Sequence, residues 1–198
     1  MSLCAGKRIP NGMEQARSPW TVVRSDIVIE TNHIRLRRDQ IELPGGERVA
    51  DYYVRESRGF TIVFALTEDE RVVLVRQYKH GIGAVLLELP AGGIDPGEDA
   101  ATCARRELAE ETGYVAEPAE LEHVGSFVYD PTSSNARYDL FLGRNARRTV
   151  ETSFDLTEDI AVELATLDDV RRFVRDGTID ASAHVASIYY VLDRLGKL

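Results

Sequence analysis

Three glutamates, Glu107, Glu110 and Glu111, crowd one end of a segment with helical composition, Glu98–Glu111. On a helix, Glu107 and Glu111 are i,i+4 neighbours and Glu110 lies beside them at i+3. Like charges at that spacing repel by roughly a few tenths of a kcal/mol. The same acids occupy the last turn before Gly113, where the helix dipole favours cations. A helix that breaks two local rules in one turn is a candidate functional site. Clustered carboxylate oxygens on a rigid element suit a hard divalent cation, Mg²⁺ or Mn²⁺. The plain alternative is a solvated acidic face. Arg106 can pair with Glu110 at i+4 and orient that carboxylate while the others face metal.

The wider spacing decides between these readings. Residues 90–114 read PAGGIDPGEDAATCARRELAEETGY. Gly92, Glu98, Arg106-Glu107-Leu108, Glu110-Glu111 and Gly113-Tyr114 fall at every specified position of the Nudix box, over 23 residues. The chain therefore resembles the Nudix hydrolases, which cleave nucleoside diphosphates linked to another moiety. The resemblance implies an α+β fold, a mixed β-sheet sandwiched between helices, with the box helix presenting the metals. Arg76-Gln77-Tyr78-Lys79 and Leu87-Glu88-Leu89-Pro90-Ala91-Gly92 are similar to the RQYR…ELPAG run of the ADP-ribose pyrophosphatase group. That group carries a strand module before the core, which helps to form a homodimer.

Roles follow from the resemblance, residue by residue. Ala91 (through its carbonyl), Glu107 and Glu111 would hold two or three Mg²⁺ ions, with Mn²⁺ as a substitute. Glu110 would support or extend that cluster, and Arg106 would orient it; both are carried as catalytic candidates. Lys79 would contact the diphosphate, and Glu88 a polar group of the substrate. Arg55, Asp130 and Arg137 complete the substrate-binding set. The implied substrate is a small nucleoside diphosphate derivative: ADP-ribose first, with GDP-mannose or another nucleotide sugar as the alternative. Two departures stand out. Lys79 replaces the forked guanidinium of Arg with a point charge. The loop Asp130–Arg137 shows Asn135 and Ala136 where the group commonly carries a metal-binding or water-activating glutamate. Without that acid, Glu110 and Asp130 are the substitutes for a general base, and a non-hydrolytic nucleotide sensor is the rival from another class.

The rest of the chain must position these residues. TVVRSDIVIE, HIRLRRDQIEL and ERVADYYVRE alternate apolar and polar residues, which predicts three strands of a small antiparallel module over 19–57. Residues 58–198 form the hydrolase domain on this reading. FTIVFAL is a near-continuous apolar run, as expected of a strand buried on both faces, and a hairpin leads from it into RVVLVRQY. Further strands are predicted around Leu121–Val128, Arg137–Leu142 and Ile160–Leu164, and helices over Leu167–Arg175 and Ala181–Leu195. For the box helix, Asp95 is the expected cap, Pro96 the first helical residue and Glu98 the third. Its small-residue face is Ala100, Ala101, Ala104 and Leu108, and Gly113 is placed to end it.

Composition narrows the partners. With 33 acids against 24 bases over 198 residues, the formal charge is −9, which argues against nucleic acid or an anionic membrane surface. No apolar run approaches a membrane span, and no apolar stretch follows the basic start as a secretory signal would need. Cys4 and Cys103 are too few for a disulfide framework, so a reducing cytoplasm is expected. Residues 1–18 read as a mobile tail. Cys103 belongs to the packed face, and His33, His80, His123 and His184 are scattered without metal spacing. Trp20, Tyr52 and Tyr53 are expected in packing more than in base stacking.

Overall fold

The structure, a computed structural model, describes residues 18–198. Cys4 and the tail expectation, Ser18 apart, therefore fall outside the described residues. The chain divides into two units, one ending at Val54 and the other running from Arg55 to Leu198.

In the first unit, β1 (Thr21–Glu30), β2 (Arg35–Glu42) and β3 (Arg48–Glu56, which crosses the boundary) form a three-stranded sheet in that order. β1 and β2 are antiparallel from Thr21↔Glu42 to Glu30↔Arg35. The turn after β2 closes through Leu43 N–H to Glu47 O at 2.8 Å and Gly46 N–H to Leu43 O at 2.9 Å. Trp20 packs edge-on against Tyr52, with ring centres 5.8 Å apart. Val22, Val23, Ile27, Val28 and Ile29 of β1 remain exposed.

The second unit is an eight-stranded mixed sheet with helices on both faces. Its strands are β4 (Phe60–Thr67), β5 (Val72–Lys79), β6 (Ala84–Glu88), β7 (Ala91–Gly93), β8 (Tyr114–Val115), β9 (Leu121–Val128), β10 (Arg137–Arg148) and β11 (Ile160–Ala165). The main path runs β11-β5-β4-β10-β8, with β6 on β5, β7 on β4 and β9 on β10. Only β4 and β10 among these pairings run parallel, in register from Tyr138↔Phe60 to Gly143↔Ala65.

The period of two along β4 explains the layers. Ile62, Phe64 and Leu66 point into one core with Leu74, Leu140 and Leu142, closed by Val170 of α2 (Leu167–Arg175) and Ile188, Val191 and Leu192 of α3 (Ser182–Arg194). Val63 and Ala65 point the other way, onto Ala104 and Leu108 of α1 (Ala100–Thr112), with Val73 and Phe141. The α+β sandwich is the architecture expected from the box. β6, β7 and β8 are strands that pattern reading did not single out; AGG of β7 carries no strand signature, and pairing with β4 creates it. β10 runs past the expected Leu142 because its far end pairs with β8, after a register shift between Gly143 and Ala146.

Candidate active site

The box helix starts later than its sequence suggested. Gly97 has φ +84°, a left-handed conformation that no right-handed helix can pass through, so neither Pro96 nor Glu98 is helical. Asp99 is the cap instead, accepting the Thr102 N–H at 3.0 Å. Gly113 ends the helix at φ +73°, its N–H donating to Ala109 O.

Displaced from the helix, Glu98 becomes a partner of Arg106. The Arg106 guanidinium donates to Glu98 Oε1 and Oε2, both at 2.9 Å, to Glu107 Oε1 at 2.7 Å, to Glu110 Oε2 at 3.0 Å and to Gly93 O at 3.0 Å. It holds the Glu98 carboxyl down to about 2. The expected Arg106–Glu110 pair is present as one arm of this larger network, which ties the loop Gly93–Glu98 to the helix.

Two carboxylates lie deeper. Glu107 is 8% exposed and sits against Gly92, where a Cβ would come within 2.0 Å of the Glu107 carboxyl carbon. Any larger residue there would evict the acid. Glu111 is 3% exposed and accepts the Ala91 N–H at 2.9 Å. Burial pushes the Glu111 carboxyl up to about 8, helped by the charges of Glu107 and Glu158, while the Ala91 N–H and Lys79 pull it down. Glu107 is raised too, first by burial, against the pull of Arg106. A pair of desolvated acids that resist ionising lacks positive charge, which a divalent cation would supply; the oxygen donor set fits a hard cation such as Mg²⁺ or Mn²⁺. Among the described residues no three acid, His or Cys side chains converge as a closed metal cage.

Two cavities meet at Gly92 and Gly93. The first, about 450 Å³, is lined by Arg55, Lys79, Glu88, Ala91, Asp130 and the rings of Phe60 and Tyr129, among others. The second, about 490 Å³, is acidic: Asp95, Glu107, Glu110, Asp155 and Glu158 face Arg58 and Arg106. β7 is thus the partition between a mixed-charge cavity and an acidic one.

Most of the residues singled out from sequence come together here, and Arg137 stands apart. It is exposed and is not among the residues lining either cavity. Ala136 lines the first cavity, and strand alternation turns the next side chain to the opposite face. The loop before it is also explained. Asn135 Oδ1 accepts the Ser57 N–H at 2.8 Å, and the Arg55 N–H donates to Ser133 O at 2.8 Å, so this loop is tied to the chain leaving β3.

Sequence reasoning missed Glu158. It lies just before β11 and accepts the Asp155 N–H at 2.9 Å, and its charge bears on both Glu107 and Glu111. The run Asp155–Asp159 holds three acids, the signal that was available. His184 was likewise given no role, yet it lines the first cavity. Cys103 is packed as expected, its thiol pushed up to about 11 by burial.

Comparison with known proteins places this geometry. The model of the NUDIX domain matches residues 56–183, and that of the nucleoside diphosphate sugar hydrolase N-terminal domain matches residues 20–54. A methanol dehydrogenase activator of Bacillus methanolicus is 30% identical over 171 residues, covering 85% of this chain and 90% of its own. An ADP-ribose pyrophosphatase of Bacillus subtilis (strain 168) is 29% identical over 160 residues, covering 80% and 84%. Among solved structures, an ADP compounds hydrolase superposes with a TM-score of 0.77 at 19% identity, over 93% of this chain and 100% of that one, a likeness of fold. The chain belongs to the NUDIX family, and so to the Nudix hydrolases that its 92–114 segment resembles.

Proposed function

We propose that the protein hydrolyses the diphosphate of a nucleoside diphosphate sugar, with ADP-ribose, cleaved to AMP and ribose 5-phosphate, as the first choice. One observation carries this reading: the buried pair Glu107 and Glu111 against Ala91 and Gly92, where a mixed-charge cavity meets an acidic trough. The names of relatives support the substrate class. Besides the B. subtilis protein, an ADP-sugar pyrophosphatase of Mus musculus is 46% identical over 66 residues, 33% of this chain.

Glu107, Glu111 and the Ala91 carbonyl are the groups that would hold Mg²⁺, which when bound polarises phosphoryl oxygens and makes water more acidic. Arg106 fixes Glu107 and Glu110 in place and keeps the loop from Gly93 to Glu98 against the helix. Lys79 and Arg55 attract the diphosphate into the first cavity, and the rings of Phe60 and Tyr129 offer an apolar wall. Glu158 is the carboxylate best set to take a proton from water, because it comes from outside α1 and reaches the acidic cavity without being spent on Arg106. A base at Glu158 would stand in for the missing acid near Asn135, on which the sensor reading rests. The exposed apolar residues of β1 support a homodimer built through residues 19–57, which light scattering of the purified protein tests.

The deciding experiment incubates the protein with Mg²⁺ and a panel of ADP-ribose, GDP-mannose, NADH and dinucleoside polyphosphates, with products separated by chromatography. AMP from ADP-ribose supports the first choice. GMP from GDP-mannose alone moves the substrate, and no product from any member overturns hydrolysis.

A further inference from the structure

His184 is a buried imidazole that the chemistry above leaves unused. It stands in the first turn of α3, 8% exposed, on the wall of the first cavity. Its Nδ1 accepts the Leu89 N–H at 3.2 Å, so a neutral ring carries its one proton on Nε2. Burial, with a smaller push from the Lys79 cation, lowers its pKa to about 4, and the ring is neutral near pH 7. Nε2 stands 3.3 Å from Oε1 of Glu88, and the other Glu88 oxygen stands 3.3 Å from Lys79 Nζ. Glu88 is itself 5% exposed and faces the same cavity. Each oxygen of this carboxylate therefore has a different nitrogen 3.3 Å away, one from α3 and one from β5, close enough for a small rotation of the carboxylate to complete either contact. A carboxylate so flanked keeps one orientation where a free one would sample several.

We propose that His184 is a positioning residue for substrate selection: its Nε2–H fixes the Glu88 carboxylate beside Lys79, so that the pair presents a preset acceptor and donor to the hydroxyl groups of a sugar in the first cavity. The proposal rests on the first cavity being the substrate cavity. A sugar hydroxyl donates to Glu88 and accepts from Lys79, which neither a purely cationic nor a purely anionic wall would allow. Histidine does two jobs at once here, since the same ring supports the turn through Leu89 and directs Glu88.

Two amide substitutions separate those jobs. His184→Asn keeps an acceptor near the place of Nδ1 and loses the donor toward Glu88. His184→Gln puts an amide N–H near the place of Nε2 and loses the acceptor for Leu89. On the best substrate of the panel, His184→Asn should raise KM about tenfold with kcat within about threefold of wild type, while His184→Gln stays within about threefold in both. Glu88→Gln should raise KM comparably, and His184→Asn added to it should cost nothing further. A wild-type KM in His184→Asn with an impaired His184→Gln, or additive losses in the double variant, would overturn the proposal. The ¹⁵N spectrum of the wild-type imidazole gives a readout independent of turnover. Protonated Nε2, with a resonance that moves in Glu88→Gln while Nδ1 stays put, is expected; protonation at Nδ1 overturns the proposal. If no substrate of the panel is hydrolysed, the functional reading fails, while the spectrum still decides the contact of His184 with Glu88.

Discussion

Helices α1 and α2 treat charge in opposite ways. α2 opens with Asp168 and Asp169 and closes with Arg172 and Arg175, as the helix dipole favours, and a reciprocal capping box joins Thr166 to Asp169. α1 has no acid in its first turn and no base in its last, and it carries Glu107, Glu110 and Glu111 toward its negative end. Only Val170 of α2 is buried, whereas α1 buries Cys103, Ala104 and Leu108 together with two of its glutamates. α2 is thus a helix that local rules stabilise. α1 is held by a packed apolar face and by Arg106, and that support lets it carry carboxylates which would otherwise be solvated or absent. Where a helix is stabilised against its own electrostatics, the charges that offend are the ones with a use.

The largest expected effect falls on α1. Glu111→Gln keeps an acceptor for the Ala91 N–H but removes the negative charge. Metal-dependent product release should fall on the order of a thousandfold, while the metal-free melting temperature does not drop. Assay and thermal melt on the same sample check this; a variant that is active, or one that is unfolded, breaks the contrast. The packed face that carries the acids is tested by Leu108→Ala. Leu108 is fully buried, so the loss should be about 2–5 kcal/mol, read as a lower urea midpoint.

Acid titration gives the two helices opposite signs. Glu111 is raised in the folded state from 4.5 to about 8. Its contribution is therefore complete below the unfolded value and is lost as pH rises through the folded one. Without metal, stability should decline by at most a few kcal/mol between about pH 4.5 and 8, and this slope should be missing in Glu111→Gln. Asp169 of α2 is lowered from 3.8 to about 2, first by the Thr166 hydroxyl and then by Arg172. Its contribution is present above 3.8 and is lost as pH falls through about 2. Denaturant midpoints across pH for the wild type, Glu111→Gln and Asp169→Asn separate the two. The smallest effect should be shared: Thr166→Ala and Asp99→Ala each remove a cap worth about 1 kcal/mol, measured by chemical denaturation.

Local patterns were legible because their causes are local. The apolar run of β4, the bounds of α2 and the glycine that ends α1 follow from periodicity and capping within a few residues. The start of α1 was misplaced because both Asp95 and Asp99 suit a cap, and only the left-handed Gly97 excludes the first. The place of Arg137 outside both cavities was not legible because one step along a strand reverses a side chain, and the loop before it hides the register. Glu158 was overlooked because it lies 47 residues beyond Glu111 and approaches only through the return of the chain to β11.

From its residues alone, then, the chain specified the family, the two-faced β4 and the acids that ask for a cation, since spacing and alternation are properties of the backbone's own geometry. Which acid joins them from afar, how deeply Glu107 and Glu111 are desolvated, and that His184 meets Glu88 were decided only when distant segments packed together. Burial and charge–charge contact depend on separation in space, and sequence distance does not encode that separation.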